Sequence, residues 1–170
     1  MVTQLRKKIC MIGDIAVGKT SLIARFVSDV FSEKYLTTVG VKIDTKTVKL
    51  NSRQEVKLVL WDIAGNDELG TMAAAYLRGA AGYLLVVDGT RRATLEAAFR
   101  LKAEVDKRLQ NPPFVALFNK EDLLPDWEIS MDCVADLRQQ GWPIAVTSAK
   151  TGAGVEAAFR QLASRLVESG

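Results

Sequence analysis

Residues 13–20 read Gly13-Asp14-Ile15-Ala16-Val17-Gly18-Lys19-Thr20, which matches the pattern G-x-x-x-x-G-K-[ST]. A strand-like apolar run at 9–12 precedes this stretch, and a helix-like run at 21–27 follows it. In that context the stretch predicts a phosphate-binding loop, because its backbone N–H groups and the next helix N-terminus attract anions. Lys19 is expected to reach the β- and γ-phosphates, and the Thr20 hydroxyl to bind Mg²⁺. The alternative is a glycine-rich turn with an accidental Lys-Thr pair, and the flanking runs favour the nucleotide triphosphate.

Two polar loops further along the chain indicate which base is bound. The first, Asn119-Lys120-Glu121-Asp122, follows an apolar run at 114–118. Asp122 can accept hydrogen bonds from N1–H and the exocyclic amine of guanine, a donor pair that adenine lacks, and the Lys120 stem can cover the purine. The second, Thr147-Ser148-Ala149-Lys150, follows the run 143–146 and offers backbone N–H groups to the guanine carbonyl. Each tetrapeptide alone is a weak signal, but all three sites follow strands and would share one sheet edge.

Composition limits the function classes open to this chain. Its 170 residues suffice for one domain, 1–170, with a full core. Lysine plus arginine number 23 against 20 acidic residues, and the charges are interspersed, so a nucleic-acid-binding surface is not expected. The absence of histidine excludes histidine-based catalysis. A zinc site is also unlikely, because two cysteines alone are a poor ligand set. Cys10 and Cys133 stand in apolar contexts, which predicts buried thiols in a reducing compartment.

The chain ends give no sign of a membrane anchor. No apolar stretch approaches 18 residues, and the N-terminus lacks a signal-peptide pattern. The final residues, Val167-Glu168-Ser169-Gly170, contain no prenylation cysteine, and Val2 stands where myristoylation requires glycine. We therefore expect a cytoplasmic monomer without a lipid anchor, although removal of a native tail would leave the same sequence.

Strand and helix signals alternate along the whole chain, which predicts a parallel α/β sheet with helices on both faces. Two runs of period two, 41–47 and 56–61, flank the turn signal Asn51-Ser52 and predict an antiparallel edge hairpin. The other predicted strands are 6–12, 83–88, 114–118 and 143–146, and the predicted helices are 18–28, 95–109, a segment from Ser130 to Gly141, and 155–166. The fold class is therefore α/β with a mostly parallel six-stranded sheet and one antiparallel edge strand.

With these motifs placed, the chain resembles the Ras-like small GTPases, and among them the Rab branch, over essentially its whole length. Five motifs occur in family order: the phosphate loop, Thr38, Trp61-Asp62-Ile63-Ala64-Gly65, Asn119 to Asp122, and Ser148 to Lys150. The segments 35–41 and 76–80 are similar to the Rab first switch and the Rab Y-Y-R-G-A segment. The resemblance implies a P-loop NTPase G domain that binds GTP or GDP with Mg²⁺. The missing lipidation cysteine leaves a prokaryotic source as one possibility.

The resemblance also implies roles for the switch residues. Thr38 would place its hydroxyl on Mg²⁺, Gly65 would give an N–H to the γ-phosphate, and Asp62 would hold the metal through water. Loss of the γ-phosphate would then relax two loops. Phe31 would pack near guanine and Tyr35 would cover the phosphates; the plain alternatives are an exposed loop threonine at 38 and a core aromatic at 31. The predicted nucleotide-binding residues are Gly13, Asp14, Ile15, Ala16, Val17, Gly18, Lys19, Thr20, Ser21, Phe31, Tyr35, Thr38, Gly65, Asn119, Lys120, Asp122, Ser148, Ala149 and Lys150. The predicted catalytic residues are Lys19, Thr38, Gly65 and Asn66, and the predicted metal ligands are Thr20, Thr38 and, through water, Asp62.

Three residues depart from the family pattern at the hydrolytic site. Asn66 stands where the family usually has the glutamine that orients the attacking water, and its side chain is one methylene shorter. Ile15 is a branched residue where the family often has glycine, serine or alanine, and Ala16 replaces the common glycine. Misplacement by about 1 Å can slow a reaction on the order of 100-fold, so slow hydrolysis is predicted. The alternatives are a co-adapted site in which Asp14 or Asp67 holds the water, and a constitutively GTP-bound binding module.

Two further interpretations concern substrate and partners. A P-loop kinase or ATPase that uses adenine is a third possibility, and Asp122 with the 148–150 loop argues against it. By resemblance, Ile43, Trp61 and Tyr76 would face an effector, although Trp61 on a strand is also typical of half-buried structure. An unidentified effector, exchange factor and activating protein are the expected partners. Their identity cannot be transferred, because the second switch is smaller and less basic than is usual for the branch.

Overall fold

The computed structural model describes residues 1–33, 40–63 and 71–169, with the backbone alone at 71–73. Within these ranges the chain forms a six-stranded sheet with strand order β2-β3-β1-β4-β5-β6. The strands are β1 (Thr3–Gly13), β2 (Val41–Asn51), β3 (Gln54–Ile63), β4 (Gly82–Asp88), β5 (Phe114–Asn119) and β6 (Ile144–Thr147). Strands β2 and β3 pair antiparallel, and the remaining neighbours pair parallel. The predicted sheet and its antiparallel edge strand are therefore confirmed.

Helices cover both faces of this sheet. They are α1 (Lys19–Ser28), α2 (Thr71–Leu77), α3 (Ala93–Leu109), α4 (Met131–Gln139) and α5 (Val155–Ser169), with a 3₁₀ helix at Glu121–Asp126. Alternate residues of β1 face opposite sides: Met11 packs with α1 and α5, whereas Ile12 packs with α2, α3 and α4. Two separate apolar cores result, one on each face, and the polar loops are left at the strand ends.

Several local predictions are confirmed and others need correction. Ser130 caps α4, since its Oγ accepts the N–H of Cys133 at 3.1 Å, and Gly141 follows that helix with φ +96°. The hairpin turn lies at 52–53, one residue later than predicted, because the Asn51 side chain accepts the Arg53 N–H at 2.9 Å. Helix α2 was not predicted, although three successive alanines at 73–75 favour it.

The two cysteines differ in burial. Cys10 is fully buried in β1, and this burial raises the pKa of its thiol to about 11, against the opposing effect of the Lys8 charge. Cys133 is only half-buried, because it lies beside rather than on the stripe of α4 formed by Val134 and Leu137. The prediction of a buried thiol is therefore wrong for Cys133. No helix in the described ranges is long and apolar enough to cross a membrane.

Candidate nucleotide-binding site

The loop between β1 and α1 requires glycine at two positions. Gly18 caps α1 with φ +107°, and a Cβ there would collide with Nδ2 of Asn119. A Cβ on Gly13 would lie 2.6 Å from the Val86 carbonyl oxygen. Ala16, between them, also has a positive φ of 64°. The loop thus presses against the ends of β4 and β5 and curls at its centre, a conformation that can turn successive N–H groups toward one point.

Lys19 spans this loop from its first helical position. Its Nζ donates to the carbonyl oxygens of Gly13 and Asp14, both at 2.9 Å, and its side chain is buried. Burial lowers the pKa of the ammonium to about 8, although the charges of Asp62 and Asp14 raise it. A phosphate bound in the loop would stabilise the charged form again, so the site is electrostatically suited to an anion.

The next residue offers oxygen ligands suited to a hard cation. The Thr20 hydroxyl donates to Oδ2 of Asp62 at 2.6 Å, and Asp62 is buried near the end of β3. Mg²⁺ in phosphate sites is usually held by one or two protein oxygens, with waters and substrate phosphates completing the shell. This hydroxyl–carboxylate pair therefore fits Mg²⁺.

Asn119 fastens the three predicted loops together. Its Nδ2 donates to the Val17 carbonyl oxygen at 3.0 Å, which holds the phosphate loop. Its Oδ1 accepts from the Thr147 hydroxyl at 3.1 Å and from the Ala149 N–H at 3.3 Å. The side chain is buried at the end of β5, so these contacts are shielded from water.

The residues expected to contact the base lie beside this junction. Asp122 accepts from the Ser148 hydroxyl at 2.7 Å, which orients its carboxylate. Lys120 has φ +76°, and its carbonyl oxygen accepts from Nε1 of Trp127 at 2.8 Å. Arg25 of α1 donates to the carbonyl oxygens of Ala149 and Lys150, so α1 also supports the third loop. Sequence reasoning missed both Trp127 and Arg25, because no local pattern points to either contact.

A second buried carboxylate was also missed. Asp88 ends β4 and is completely buried, and its Oδ2 receives Lys120 Nζ at 2.7 Å and Arg91 Nε at 3.0 Å. The other end of the Arg91 guanidinium donates to the Ile15 carbonyl oxygen at 2.9 Å. Burial alone would raise the pKa of Asp88, but hydrogen bonds from Lys120, Thr90 and Arg91 outweigh it and hold that pKa below its ordinary value. An aspartate closing an apolar strand was the available signal, the same one that marks Asp62.

The remaining predicted residues divide into described and undescribed ones. Phe31 is an exposed side chain, so the alternative of a core aromatic is wrong. Ile15 is 50% exposed, so its branched side chain projects from the loop rather than into the core. The other predicted switch and hydrolytic residues, Tyr35, Thr38, Gly65 and Asn66, together with Asp67, lie outside the described residues.

The three residues expected to face an effector are neighbours in space. Ile43 lies directly opposite Trp61 in the β2–β3 ladder, so both side chains are on one face of the sheet. The ring centroids of Trp61 and Tyr76 are 5.9 Å apart. Ile43 is 50% exposed, whereas Trp61 is half-buried with Lys8 Nζ 3.6 Å from its ring centroid. Within this patch Ile43 is therefore open to solvent, whereas Trp61 also packs within the protein.

Comparison with known proteins identifies related sequences over almost the whole chain. A sequence model of the Ras family matches residues 8–168. Ras-related protein Rab-32A of Dictyostelium discoideum is 38% identical over 95% of this chain and 78% of its own length. Ras-related protein Rab-32 of Homo sapiens is 36% identical over 94% of this chain and 74% of its own length. Ras-related protein Rab-1A of Dictyostelium discoideum is 34% identical, with coverages of 94% and 79%.

Proposed function

Because the chain belongs to the Ras family of small GTPases, we propose that it is a guanine-nucleotide switch. It binds GTP or GDP with Mg²⁺, presents ordered switch loops to an effector when GTP is bound, and resets by slow hydrolysis. The observation that carries this proposal is the Asn119 junction, which joins the phosphate loop to both predicted base-recognition loops through one buried side chain.

Most residues proposed to bind the nucleotide and Mg²⁺ are among the described ones. Lys19 and the N–H groups of its loop hold the phosphates, while Asp122, oriented by Ser148, accepts from guanine. Thr20 directly and Asp62 through water would hold Mg²⁺, which neutralises charge on the β- and γ-phosphates. Thr38 and Gly65 are proposed to tether two loops to the γ-phosphate, so that its loss releases both.

The proposal that GTP hydrolysis is slow depends on Ile15 and Asn66. The Ile15 side chain is half exposed on the phosphate loop, and we expect it to narrow the approach to the terminal phosphate. Asn66 is shorter than the usual glutamine and is expected to position water poorly. The same projection of Ile15 favours one alternative function, a hydrolysis-deficient module that remains bound to GTP.

Partners and location follow from the switch. The patch formed by Ile43, Trp61 and Tyr76 is proposed to contact an effector, with an exchange factor and an activating protein controlling the nucleotide state. We place the switch in the cytoplasm as a monomer, with no nucleic acid among its partners.

Two measurements on the purified chain test the proposal. Chromatography of the nucleotide released on denaturation is expected to give GDP or GTP, and unlabelled GTP is expected to displace a fluorescent guanine nucleotide far better than ATP. Equal competition by ATP would refute guanine selectivity. A timed single-turnover assay then separates slow hydrolysis from none, and so decides between the switch and the hydrolysis-deficient module.

A further inference from the structure

One buried carboxylate connects the base-recognition loop to the phosphate loop. Both oxygens of Asp88 are engaged: Oδ1 accepts from the Thr90 N–H and hydroxyl at 2.9 and 2.7 Å, and Oδ2 receives Lys120 and Arg91. Arg91 continues the connection to the Ile15 carbonyl oxygen at 2.9 Å. The path runs from Lys120 through Asp88 and Arg91 to Ile15 without a break.

The Ile15 contact constrains a peptide bond of the phosphate loop. In a trans peptide the carbonyl of one residue and the N–H of the next point in opposite directions. Arg91 donates to the Ile15 carbonyl oxygen, and the Ala16 N–H consequently points away from Arg91. Ala16 adopts φ +64°, which is unfavourable for a residue with a Cβ and needs support from its surroundings.

We propose that Arg91 is a positioning residue for the nucleotide's terminal phosphates. Oriented by Asp88, its guanidinium fixes the Ile15–Ala16 peptide so that the Ala16 N–H is presented to the phosphate chain, and its charge polarises that peptide. The inference rests on the proposed function, since it concerns the same nucleotide site.

The position of this peptide indicates which phosphates depend on it. Lys19 Nζ, which is expected to reach the β- and γ-phosphates, contacts the carbonyl oxygens of Gly13 and Asp14 in the first half of the loop. The Ile15–Ala16 peptide directly follows those residues. Arg91 therefore acts on nucleotides that carry a β-phosphate and has little influence on GMP.

The test compares Arg91→Gln with Arg92→Gln in the full chain. Arg92 is the exposed neighbouring arginine whose backbone N–H, not its side chain, bonds Glu128 at 2.9 Å, so the control removes the same charge. Dissociation constants for GTP, GDP and GMP would be measured by competition in Mg²⁺ buffer. Arg91→Gln is expected to weaken GTP and GDP on the order of tenfold and GMP less than twofold, with Arg92→Gln matching wild type.

Two further variants keep the test decisive. Arg91→Lys retains the charge but cannot hold Asp88 and Ile15 through a planar fork, so an intermediate loss is expected for GTP and GDP, even if Arg91→Gln fails to fold. Asp88→Asn loosens Lys120 as well, and is expected to weaken GMP along with GTP and GDP.

Each contrary result has a distinct meaning. Equal weakening of GTP, GDP and GMP by the Arg91 variants would overturn the inference and leave Arg91 a support of the fold. So would affinities equal to those of Arg92→Gln. If wild type binds no guanine nucleotide, the proposed function fails and the inference with it, whereas tight wild-type binding with unaffected variants removes the inference alone.

Discussion

Two buried aspartates at the carboxyl ends of strands illustrate two uses of one residue type. Asp62 on β3 and Asp88 on β4 flank β1 from opposite sides. Asp62 accepts from the Thr20 hydroxyl and interacts electrostatically with the buried Lys19 ammonium, whereas Asp88 bonds the charged side chains of Lys120 and Arg91 directly. A hydroxyl–carboxylate pair presents oxygens to an added cation, while the Asp88 carboxylate is neutralised by the chain's own cations. Direct bonding of Asp88 to two cations is the feature that we expect to separate the two roles.

The largest effect predicted from this comparison follows removal of Mg²⁺ from the nucleotide-bound protein. EDTA is expected to speed nucleotide release by orders of magnitude, because the proposed Mg²⁺ would join the phosphates to the Thr20–Asp62 pair. Asp62→Asn is expected to lower Mg²⁺ affinity by about 10–100-fold, whereas Asp88→Asn leaves the chelator response intact. Release of fluorescent GDP with and without EDTA measures both. Identical release rates in wild type would show that the metal assignment is wrong.

A third carboxylate, Asp122, extends the comparison to an organic ligand. Asp122→Ala is expected to cost several kcal/mol of GTP affinity, because the guanine donors would lose the charged acceptor proposed for them. Glu121→Ala, one residue earlier, is the matched control and is expected to bind normally. Direct titration of wild type and both variants with GTP and ATP measures the change in affinity. Unaltered GTP affinity in Asp122→Ala would place base recognition elsewhere.

Asp88 is expected to affect stability even without nucleotide. Asp88→Asn should lower the free energy of unfolding by about 2 kcal/mol at neutral pH, a reduced value because Lys120 and Arg91 are partly exposed to solvent. The pKa of Asp88 is lowered in the folded state, so its stabilisation is present above the unfolded pKa of about 3.9 and is lost as pH falls toward the folded value. Urea titrations of wild type and Asp88→Asn at pH 7 and below about pH 4 should show that their difference in free energy of unfolding becomes smaller at the lower pH. A gap independent of pH would contradict the charge-based account.

The switch proposal predicts a difference between nucleotide states rather than between residues. Amide exchange over residues 33–45 and 62–78 is expected to be slower by about tenfold with a GTP analogue than with GDP, because the γ-phosphate is proposed to tether Thr38 and Gly65. Residues 114–119, in a buried central strand, serve as the internal reference. Equal protection in both states would remove the switch.

The smallest effects are expected for hydrolysis, at the residue that Arg91 contacts. Wild type should hydrolyse GTP no faster than on the order of 10⁻⁴ per second. Asn66→Gln and Ile15→Gly should each raise the hydrolysis rate little, because each would leave the other proposed obstacle in place. The double variant should lower the activation free energy by more than the sum of the two single effects. Single-turnover assays of the four proteins measure this. Fast wild-type hydrolysis would direct attention to Asp14 and Asp67 as groups that position water.

The sequence was informative wherever a feature depends on neighbouring residues. The phosphate loop, the edge hairpin and the Ser130 cap follow from local spacing, and the structure agrees with their predicted conformations. The contact of Arg91 with Ile15 was missed because the two residues are 76 positions apart and are brought together by the pairing of β1 with β4. Cys133 was mispredicted for a related reason, since an apolar context does not fix which side of a helix a residue occupies.

The position of strand β2 at the edge of the sheet affects how two copies of the chain could associate. The strand lies at one end of the sheet and extends from Val41 to Asn51, a length that could recruit a strand from a second molecule. Lys42, Lys46 and Lys49 lie along it, and two of them have acidic partners: Lys42 Nζ is 3.6 Å from Asp44, and Lys46 Nζ is 3.6 Å from Glu156. Lys46 also reaches back to the Phe26 carbonyl oxygen at 2.6 Å, which ties the strand to α1. Charged residues along an exposed edge discourage pairing between sheets, so we expect this edge to resist joining the same edge of a second copy.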